Sequence, residues 1–558
     1  MIWTQDYDPF GATWLSVLLA AAPVVVMLGG LAFFHIRAHL AALLGLTTAL
    51  VIATAAFGMP GGLAFRAAGF GAAYGLLPIG WIVLNIIFLY RLTEERGQFD
   101  ILRNSISRVT NDSRLQLLLI AFCFGAFFEG AAGFGTPVAV TGAMLIGLGF
   151  TRLQASGLSL IANTAPVAFG ALGTPLLTLS AITDLPLLDL SAMVGRLMTP
   201  FAFVVPWWLL VAYCGWRRTL EIWPAVLVTA SVFALAQLGI SNLHGPWLTA
   251  IGSALASIVA LVLFLHVWQP QRIMHVNEAP LSKHDERVPI SGTDTLAGSA
   301  VAADGRALRR AWMPWLILTA TVFIWGIPAV KAVLDSVFKL TIPVPGLEGA
   351  ILRVPPVVPV VEAEKAVFSL NLLSATGSAI LLAAIVSGLL LGARPAELAG
   401  TYFRALKSVV PSLLTISAML ALGYVTRFSG IDAAMGLAFA HTGLLYPFFG
   451  TLLGWLGVAV TGSDTASNVL FGGLQKVTAE QLGISPVLMA SANSAGGVMG
   501  KMVDAQSIVV ASTATRWFGA EGTILRYVFI HSIMLACLIG LVVMLMAYVP
   551  PFTALVVK

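Results

Sequence analysis

The sequence has few charged residues and few cysteines, and each shortage excludes a class of protein. Charged residues make up 10% of the 558 residues and hydrophobic residues 58%, whereas soluble domains carry about 25% charged residues. So little charge cannot cover a water-exposed surface, so we expect the chain to lie in a lipid bilayer. Cys123, Cys214 and Cys537 have neither metal-ligand spacing nor the pattern of a disulfide framework. The sequence therefore predicts a membrane protein with no metal site and no cofactor.

Positive charge is concentrated in short loops. The net charge of +5 would suggest nucleic-acid binding in a soluble protein, but this loop pattern is typical of orientation in a membrane, and we expect no nucleic-acid partner. Basic residues cluster at about 91–114, 216–218, 268–310 and 394–407. The positive-inside rule places these clusters on the cytoplasmic face. Both termini are then predicted on the external face.

Apolar runs long enough to cross a bilayer, which takes about 20 helical residues, recur along the chain. We predict twelve spanning helices, at about 14–34, 40–57, 75–92, 154–180, 193–213, 223–240, 247–267, 311–333, 366–391, 409–427, 483–513 and 524–548. The chain is therefore expected to be an all-α polytopic membrane protein.

Two further apolar regions, at about 114–150 and 446–475, are interrupted by small and polar residues. Each is too long for one helix and has no charged loop at its break, so we predict two re-entrant hairpins with tips inside the membrane. The orientation then gives two inverted-topology repeats. The first covers residues 1–213 and the second 311–558, with connecting helices and a cytoplasmic loop at 214–310.

The two interrupted regions carry matching polar landmarks. Phe128-Glu129-Gly130-Ala131-Ala132-Gly133-Phe134-Gly135-Thr136-Pro137 lies in the first, and Thr461-Gly462-Ser463-Asp464-Thr465-Ala466-Ser467-Asn468 in the second. Asn163 follows Glu129 by 34 residues, and Asn493 follows Thr461 by 32. Paired interrupted segments in the two halves of a membrane protein indicate the substrate site of a secondary transporter.

The hairpin tips suit a small hydroxylated carboxylate. Helix N-termini bind anions, and glycine lets the backbone approach a ligand closely. The alternative is that these small residues serve only tight helix packing. The predicted substrate-binding residues are Gly130, Gly133, Gly135, Thr136, Asn163, Thr164, Ser463, Thr465, Ser467, Asn468, Asn493, Ser494 and Lys501.

Three carboxyl groups are candidates for proton coupling, namely Glu129, Asp464 and Asp504. Ionisable groups inside a membrane are costly and usually functional. An apolar environment favours a protonated carboxyl, and we favour Glu129 as the proton carrier. Asp464 could share that role or bind a cation, and either carboxylate could instead cap a helix. Lys501 could be the counter-charge of the substrate or a structural partner of Asp504.

Three glycines follow Asn493 within a few residues, namely Gly496, Gly497 and Gly500. Glycine is a poor helix former. We therefore predict an unwound helix at this point.

These motifs resemble those of the bacterial lactate permease family, which includes L-lactate and glycolate permeases. The resemblance rests on the two interrupted motifs together with Asn163-Thr164-Ala165-Pro166 and Asn493-Ser494-Ala495-Gly496. It implies proton symport of L-lactate, D-lactate or glycolate across a bacterial inner membrane. It further implies the two-hairpin, elevator-type architecture of an ion-transporter superfamily, commonly a homodimer.

Three other functions remain open, namely a sodium-coupled carboxylate transporter, a membrane-embedded enzyme and a pure channel. A channel would give flux without saturation and no accumulation against a gradient. A sodium-coupled carboxylate transporter could use Asp464 and Asn468 as cation ligands. A membrane-embedded enzyme is disfavoured because the chain has no His-Glu-x-x-His motif and no nucleophile elbow. The sequence therefore predicts a transporter and not an enzyme.

Overall fold

A computed structural model describes residues 2–557 except 33, 35, 99, 102–104, 106–108, 132, 134–135, 279–304, 359 and 518–519. Helices dominate the described part, as expected for long apolar runs of Ala, Leu, Val and Ile, because a helix satisfies most of its backbone polar groups internally. Those of the first half are α1 Thr13–Ala32, α2 Ala38–Val51, α3 Gly61–Tyr74, α4 Trp81–Glu95, α5 Ser113–Leu117, α6 Gly125–Ala131, α7 Thr136–Gly147, α8 Arg152–Ala162, α9 Thr164–Val167, α10 Thr174–Thr183 and α11 Leu187–Cys214.

The chain continues through connecting helices into the second half. The helices are α12 Trp216–Leu220, α13 Trp223–Leu243, α14 Thr249–Val267, α15 Gly305–Gly326, α16 Pro328–Val337, α17 Thr376–Leu390, α18 Pro395–Ser429, α19 Ile431–Ala440, α20 Tyr446–Thr461, α21 Asp464–Leu482, α22 Pro486–Gly500, α23 Ala505–Ala514 and α24 Glu521–Tyr548. Three segments are π-helical. Ile52–Ala56 extends α2, Gly75–Gly80 joins α3 to α4, and Leu118–Phe124 joins α5 to α6. Short 3₁₀ turns lie at Ala171–Gly173, Val276–Glu278, Gly443–Leu445 and Phe552–Leu555.

Ten helical stretches in the described residues are long and apolar enough to cross a membrane, so the protein is a multi-pass membrane protein. Two of the ten, Ser113–Ala131 and Gly443–Thr461, are arms of the predicted hairpins. Four of the twelve expected spans take another form. The first contains a shorter apolar helix, 311–333 is a pair of helices bent by 80°, 366–391 has a helix only from Thr376, and 483–513 is divided into α22 and α23.

Five short strands depart from the expected all-α architecture. They are β1 Trp3–Thr4, β2 Leu340–Pro343, β3 Ile351–Arg353, β4 Glu362–Ala363 and β5 Val367–Leu370. β3 pairs in parallel with β1 and antiparallel with β4, while β2 pairs antiparallel with β5. The expected span at 366–391 is wrong at its start, because residues 367–370 form a strand that pairs with β2.

The predicted unwinding at Gly496 is also wrong, because α22 is helical through Gly500. These glycines form the face of α22 that packs on α20. A Cβ at Gly500 would lie 2.9 Å from the backbone nitrogen of Ala459, and one at Gly496 would contact the Thr451 carbonyl. Close helix approach therefore outweighs the low helix propensity of glycine, as is common in membranes.

A fully buried arginine joins three segments at the start of the first predicted hairpin. Arg114 donates to Asp112 Oδ2 at 2.8 Å and to Glu221 Oε2 at 2.7 Å. It also donates to the carbonyl oxygens of Arg218 and Arg272, both at 2.8 Å. Arg114 and Asp112 are 0% and 1% exposed. This network fixes the start of the first predicted hairpin against α12 and against the loop around residue 272.

Candidate functional site

The breaks of both predicted hairpins line one cavity, which we name the central cavity. Its volume is about 180 Å³. A single water needs roughly 10–15 Å³ by the same kind of measure, so a small organic acid fits. The polar residues of its wall are Glu129, Thr174, Ser412, Thr415, Thr461, Ser463, Asp464, Thr465, Lys501 and Gln506.

The first break places Glu129 at the central cavity. α6 ends at Ala131, and Gly133 has a φ of +57°, a backbone conformation that residues other than glycine rarely adopt. Glu129 lies in the last turn of α6, is 5% exposed and accepts a hydrogen bond from Asn163 Nδ2 at 3.1 Å. Asn163 separates α8 from α9. The carboxyl of Glu129 is therefore held between one helix end and one helix break.

The second break places the N-terminus of α21 at the same cavity. Gly462, with a φ of +72°, ends α20, and Ser463 then caps α21 by accepting from the backbone nitrogen of Ala466 at 3.3 Å. Asp464 and Thr465 are the first residues of α21 and line the central cavity. The first-turn N–H groups and the positive end of the helix dipole therefore lie where an anion would bind.

Two more helices begin at the central cavity. Gly173, with a φ of +80°, precedes Thr174 and Pro175, which open α10 and line the cavity. Asp504 caps α23, accepting from the backbone nitrogen of Ser507 at 2.7 Å, and Gln506 of α23 also lines the cavity. Three helix N-termini thus converge on one space, which favours an anionic ligand.

A buried polar network lies behind Asp464. Ser494 and Asn468 both donate to Asp464 Oδ2, the second at 3.4 Å. Asn493 donates to Asn468 Oδ1 at 2.9 Å, and Gln475 donates to Asn493 Oδ1 at 3.2 Å. Among the described residues, Asp464 Oδ1 has no hydrogen-bond partner although it is buried. The network joins α21 to α22 and orients the carboxyl of Asp464.

Lys501 supplies the positive charge of the central cavity. Its Nζ donates to the carbonyl oxygen of Gly462 at 2.6 Å and lies 3.4 Å from Asp504 Oδ2. Lys501 and Asp504 are 7% and 0% exposed. Together, the hydrogen bond and the ion pair tie the start of α23 to the break between α20 and α21.

The buried ionisable groups at this site do not balance. Glu129, Asp464 and Asp504 are three carboxyl groups, and Lys501 is one ammonium group. Three negative charges less one positive charge leave a net charge of −2 if all four ionise. Burying charge without a partner is expensive. The site therefore favours a bound proton on a carboxyl or a bound cation.

The predicted site residues fall into three groups. Those that line the central cavity are Glu129, Gly133, Ser463, Asp464, Thr465 and Lys501. Those that support its wall through hydrogen bonds or an ion pair are Asn163, Ser467, Asn468, Asn493, Ser494 and Asp504.

The remaining predicted residues lie elsewhere. Gly130 packs on Ile251, because a Cβ at Gly130 would lie 2.7 Å from Cγ1 of Ile251. Thr164 donates to the Ile161 carbonyl at 2.8 Å. Thr136 lines a neighbouring cavity. Gly135 lies outside the described residues.

Sequence reasoning missed several residues of the cavity wall. Gly170, Thr174 and Pro175 belong to an interruption whose glycine and proline were visible in the sequence, so these could have been included. Ser412 and Thr415 belong to α18. An isolated hydroxyl group in a continuous apolar helix carries no sequence signal of this kind, so only the packing reveals them.

Comparison with known proteins gives whole-chain matches. A family model described as L-lactate permease matches residues 16–550. The L-lactate permease of Escherichia coli (strain K12) is 42% identical over 553 residues, 98% of both chains. Glycolate permease GlcA of the same organism is 44% identical over 564 residues, 100% of both chains. The L-lactate permease of Bacillus subtilis (strain 168) is 41% identical over 562 residues, covering 98% of this chain and 99% of that protein.

Two solved structures are more distantly similar. The YdaH transporter of Alcanivorax borkumensis shows 14% identity and a TM-score of 0.44, over 87% of this chain and 86% of that chain. MtrF of Neisseria gonorrhoeae shows 13% identity and a TM-score of 0.46, over 87% and 83%.

Proposed function

Because the chain belongs to the L-lactate permease family, we propose that it imports L-lactate, D-lactate and glycolate together with protons. The observation that carries the proposal is the central cavity, where three helix N-termini and Lys501 surround a space of about 180 Å³. Helix N-termini and an ammonium group stabilise a carboxylate. The relatives named L-lactate permease and glycolate permease GlcA support the substrate class.

In the proposed complex, the carboxylate of the substrate binds the N-termini of α10 and α21 near Lys501. The hydroxyl groups of Thr174 and Thr465 lie at the same helix starts and line the cavity. They can donate to or accept from the 2-hydroxyl group. Lactate and glycolate differ by one methyl group, which changes binding by only about 1–3 kcal/mol, so one site can accept both.

Proton coupling follows from the charges of substrate and site. At neutral pH the substrate is an anion, and a potential of 100 mV, negative inside, opposes its entry by about 2.3 kcal/mol per charge. A co-transported proton cancels that charge. Glu129 is our proposed carrier, because it lines the cavity, is 5% exposed and accepts a hydrogen bond from neutral Asn163. We propose that the nearby carboxyl groups of Asp464 and Asp504 take part in proton coupling with Glu129.

The proposed architecture is two inverted-topology repeats, 1–213 and 311–558, with 214–310 between them. Each repeat contributes one re-entrant hairpin, α5–α7 and α20–α21. The hairpins move as one body against the rest in an elevator-type cycle, within a homodimer in a bacterial inner membrane. Both termini lie on the external face in this proposal, because the basic loops then lie inside.

Sodium coupling is the second candidate, and one observation favours it. Asp464 lines the central cavity, and its Oδ1 is buried without a hydrogen-bond partner among the described residues. A carboxylate oxygen of this kind is a suitable ligand for a hard cation. The proposal in either form makes the protein a transporter and not an enzyme.

Uptake into proteoliposomes tests the proposal. We expect radiolabelled L-lactate to accumulate when the outside is more acidic than the inside, with sodium replaced by choline. Unlabelled D-lactate and glycolate should compete. Accumulation only with sodium would replace the proton by sodium, and no accumulation under either gradient would refute lactate transport.

A further inference from the structure

A second space, which we name the side cavity, opens beside the central cavity. Its volume is about 270 Å³, and Val83 of α4 and Ser412 of α18 line both cavities. The side cavity therefore continues the central cavity between α4 and α18. A small molecule that leaves the central cavity between these two helices would enter the side cavity, and we refer to this route as the passage.

One face of α4 leads from the central cavity to an arginine. Val83, Ile87 and Arg91 all line the side cavity and are spaced by four residues, so they lie on one helix face. Eight helical residues span about 12 Å. Ser412 and Ser408, also four apart, form the opposing wall on α18. The passage thus becomes more polar as it approaches the end of α4.

Arg91 differs from Arg96 and Arg404, two arginines at the same end of the helices. Arg404 pairs with Glu95 at 2.8 Å, and Arg96 pairs with Glu397. Arg91 has no hydrogen-bond or ion-pair partner among the residues that the structure describes, and it faces the side cavity together with Glu94. Arg91 interacts electrostatically with Glu95, but its guanidinium makes no hydrogen bond to a described residue, so its planar set of donors can match a carboxylate.

We propose that Arg91 forms a second, transient carboxylate-binding site, which holds the substrate between the central cavity and the membrane face that carries Arg96 and Arg404. This inference rests on the proposed function, since it assumes a carboxylate substrate. Glu94 lines the same passage and opposes the binding of an anion there. The negative charge of Glu94 weakens the binding of the carboxylate to Arg91 enough for release, because a conducting site must not retain its ligand.

The test compares the two faces of the membrane. L-lactate transport is measured in right-side-out and inside-out vesicles, for wild type, Arg91→Gln and Arg91→Lys. Solvated ion pairs contribute up to about 1 kcal/mol, so we expect Arg91→Gln to raise KM about fivefold at the face of Arg91. The KM at the other face and the kcat should stay within about twofold of the wild-type values. Arg91→Lys, which keeps the charge, should give a smaller increase and shows that the fold tolerates substitution.

Two further variants separate this role from a general effect of surface charge. Arg96→Gln removes the same charge five residues away, but its side chain does not line the side cavity and pairs with Glu397, so KM should not change. Glu94→Gln should lower KM at the same face. Added salt should raise the wild-type KM at that face more than the KM of Arg91→Gln, since salt screens exposed charges.

Three results would overturn the inference, namely an unchanged KM in Arg91→Gln, an equal increase at both faces, or the same increase in Arg96→Gln. If the wild type transports L-lactate and the variants give any of these results, the proposed function stands and only this inference fails. Absence of lactate transport in the wild type would overturn the proposed function and this inference together.

Discussion

Substitution of Gly454 by alanine tests whether close packing of α20 on α22 supports the site. A Cβ at Gly454 would lie 2.7 Å from the backbone carbonyl carbon of Asn493 and 2.9 Å from its Cα. These are backbone atoms, so no side-chain rotation relieves the overlap. The helices must separate, and Asn493 must move relative to Asn468 and Gln475, its hydrogen-bond partners.

The expected magnitude comes from two opposing effects. Overpacking a well-packed interior costs about 1–3 kcal/mol. Alanine gains up to about 1 kcal/mol over glycine in a helix. Gly239 of α13 is the matched control, because a Cβ there meets nothing within 4 Å. The helix-propensity gain is common to both variants, so their difference in unfolding free energy isolates the overlap at about 1–3 kcal/mol.

The assay is unfolding of the purified protein in detergent micelles, combined with L-lactate uptake. We expect Gly454→Ala to be less stable than the wild type and to take up lactate more slowly. Gly239→Ala should be as stable as the wild type or more stable, with normal uptake. Equal stability of the two alanine variants would refute the packing argument.

Two more predictions concern the entry to the first hairpin and the wall of the cavity. Arg114→Met leaves buried Asp112 without its cation and should lower the free energy of unfolding by about 3–5 kcal/mol. The control is Arg217→Met, at an exposed arginine. Equal effects of the two substitutions would contradict the prediction. Thr174→Val removes a hydroxyl group from the central cavity and should raise the KM for L-lactate about two- to tenfold, as expected for one neutral hydrogen bond. In Thr164→Val the lost hydroxyl instead bonds the Ile161 carbonyl, so an increase in KM there as large as in Thr174→Val would argue against a substrate contact.

Much of the fold could be predicted from apolar run length, because a bilayer demands helices of a minimum length. The interruptions at Gly133 and Gly462 were visible as small and polar residues within apolar segments, and both lie at the central cavity. Glu129 and Asn163 are 34 residues apart, and the structure joins them by a hydrogen bond. Both residues are assigned to the site from the sequence, but the contact between them is not predicted and comes from the structure.

Other features depend on packing that a single sequence does not show. α22 keeps its helix at Gly496 because α20 approaches closely there, and intrinsic propensity alone predicts the opposite. The strand at Val367–Leu370 forms because β2 pairs with it. Ser412 reaches the cavity because α18 passes beside it. In each case a contact between distant segments decides the local outcome.

The most direct test of the central claim is L-lactate uptake driven by a pH gradient without sodium, compared between wild type and Glu129→Gln. The glutamine keeps the size of the side chain and removes the titrating group. Our account predicts that the wild type accumulates lactate, while the variant loses accumulation and keeps lactate exchange. Accumulation by Glu129→Gln equal to that of the wild type would contradict the assignment of Glu129 as the proton carrier.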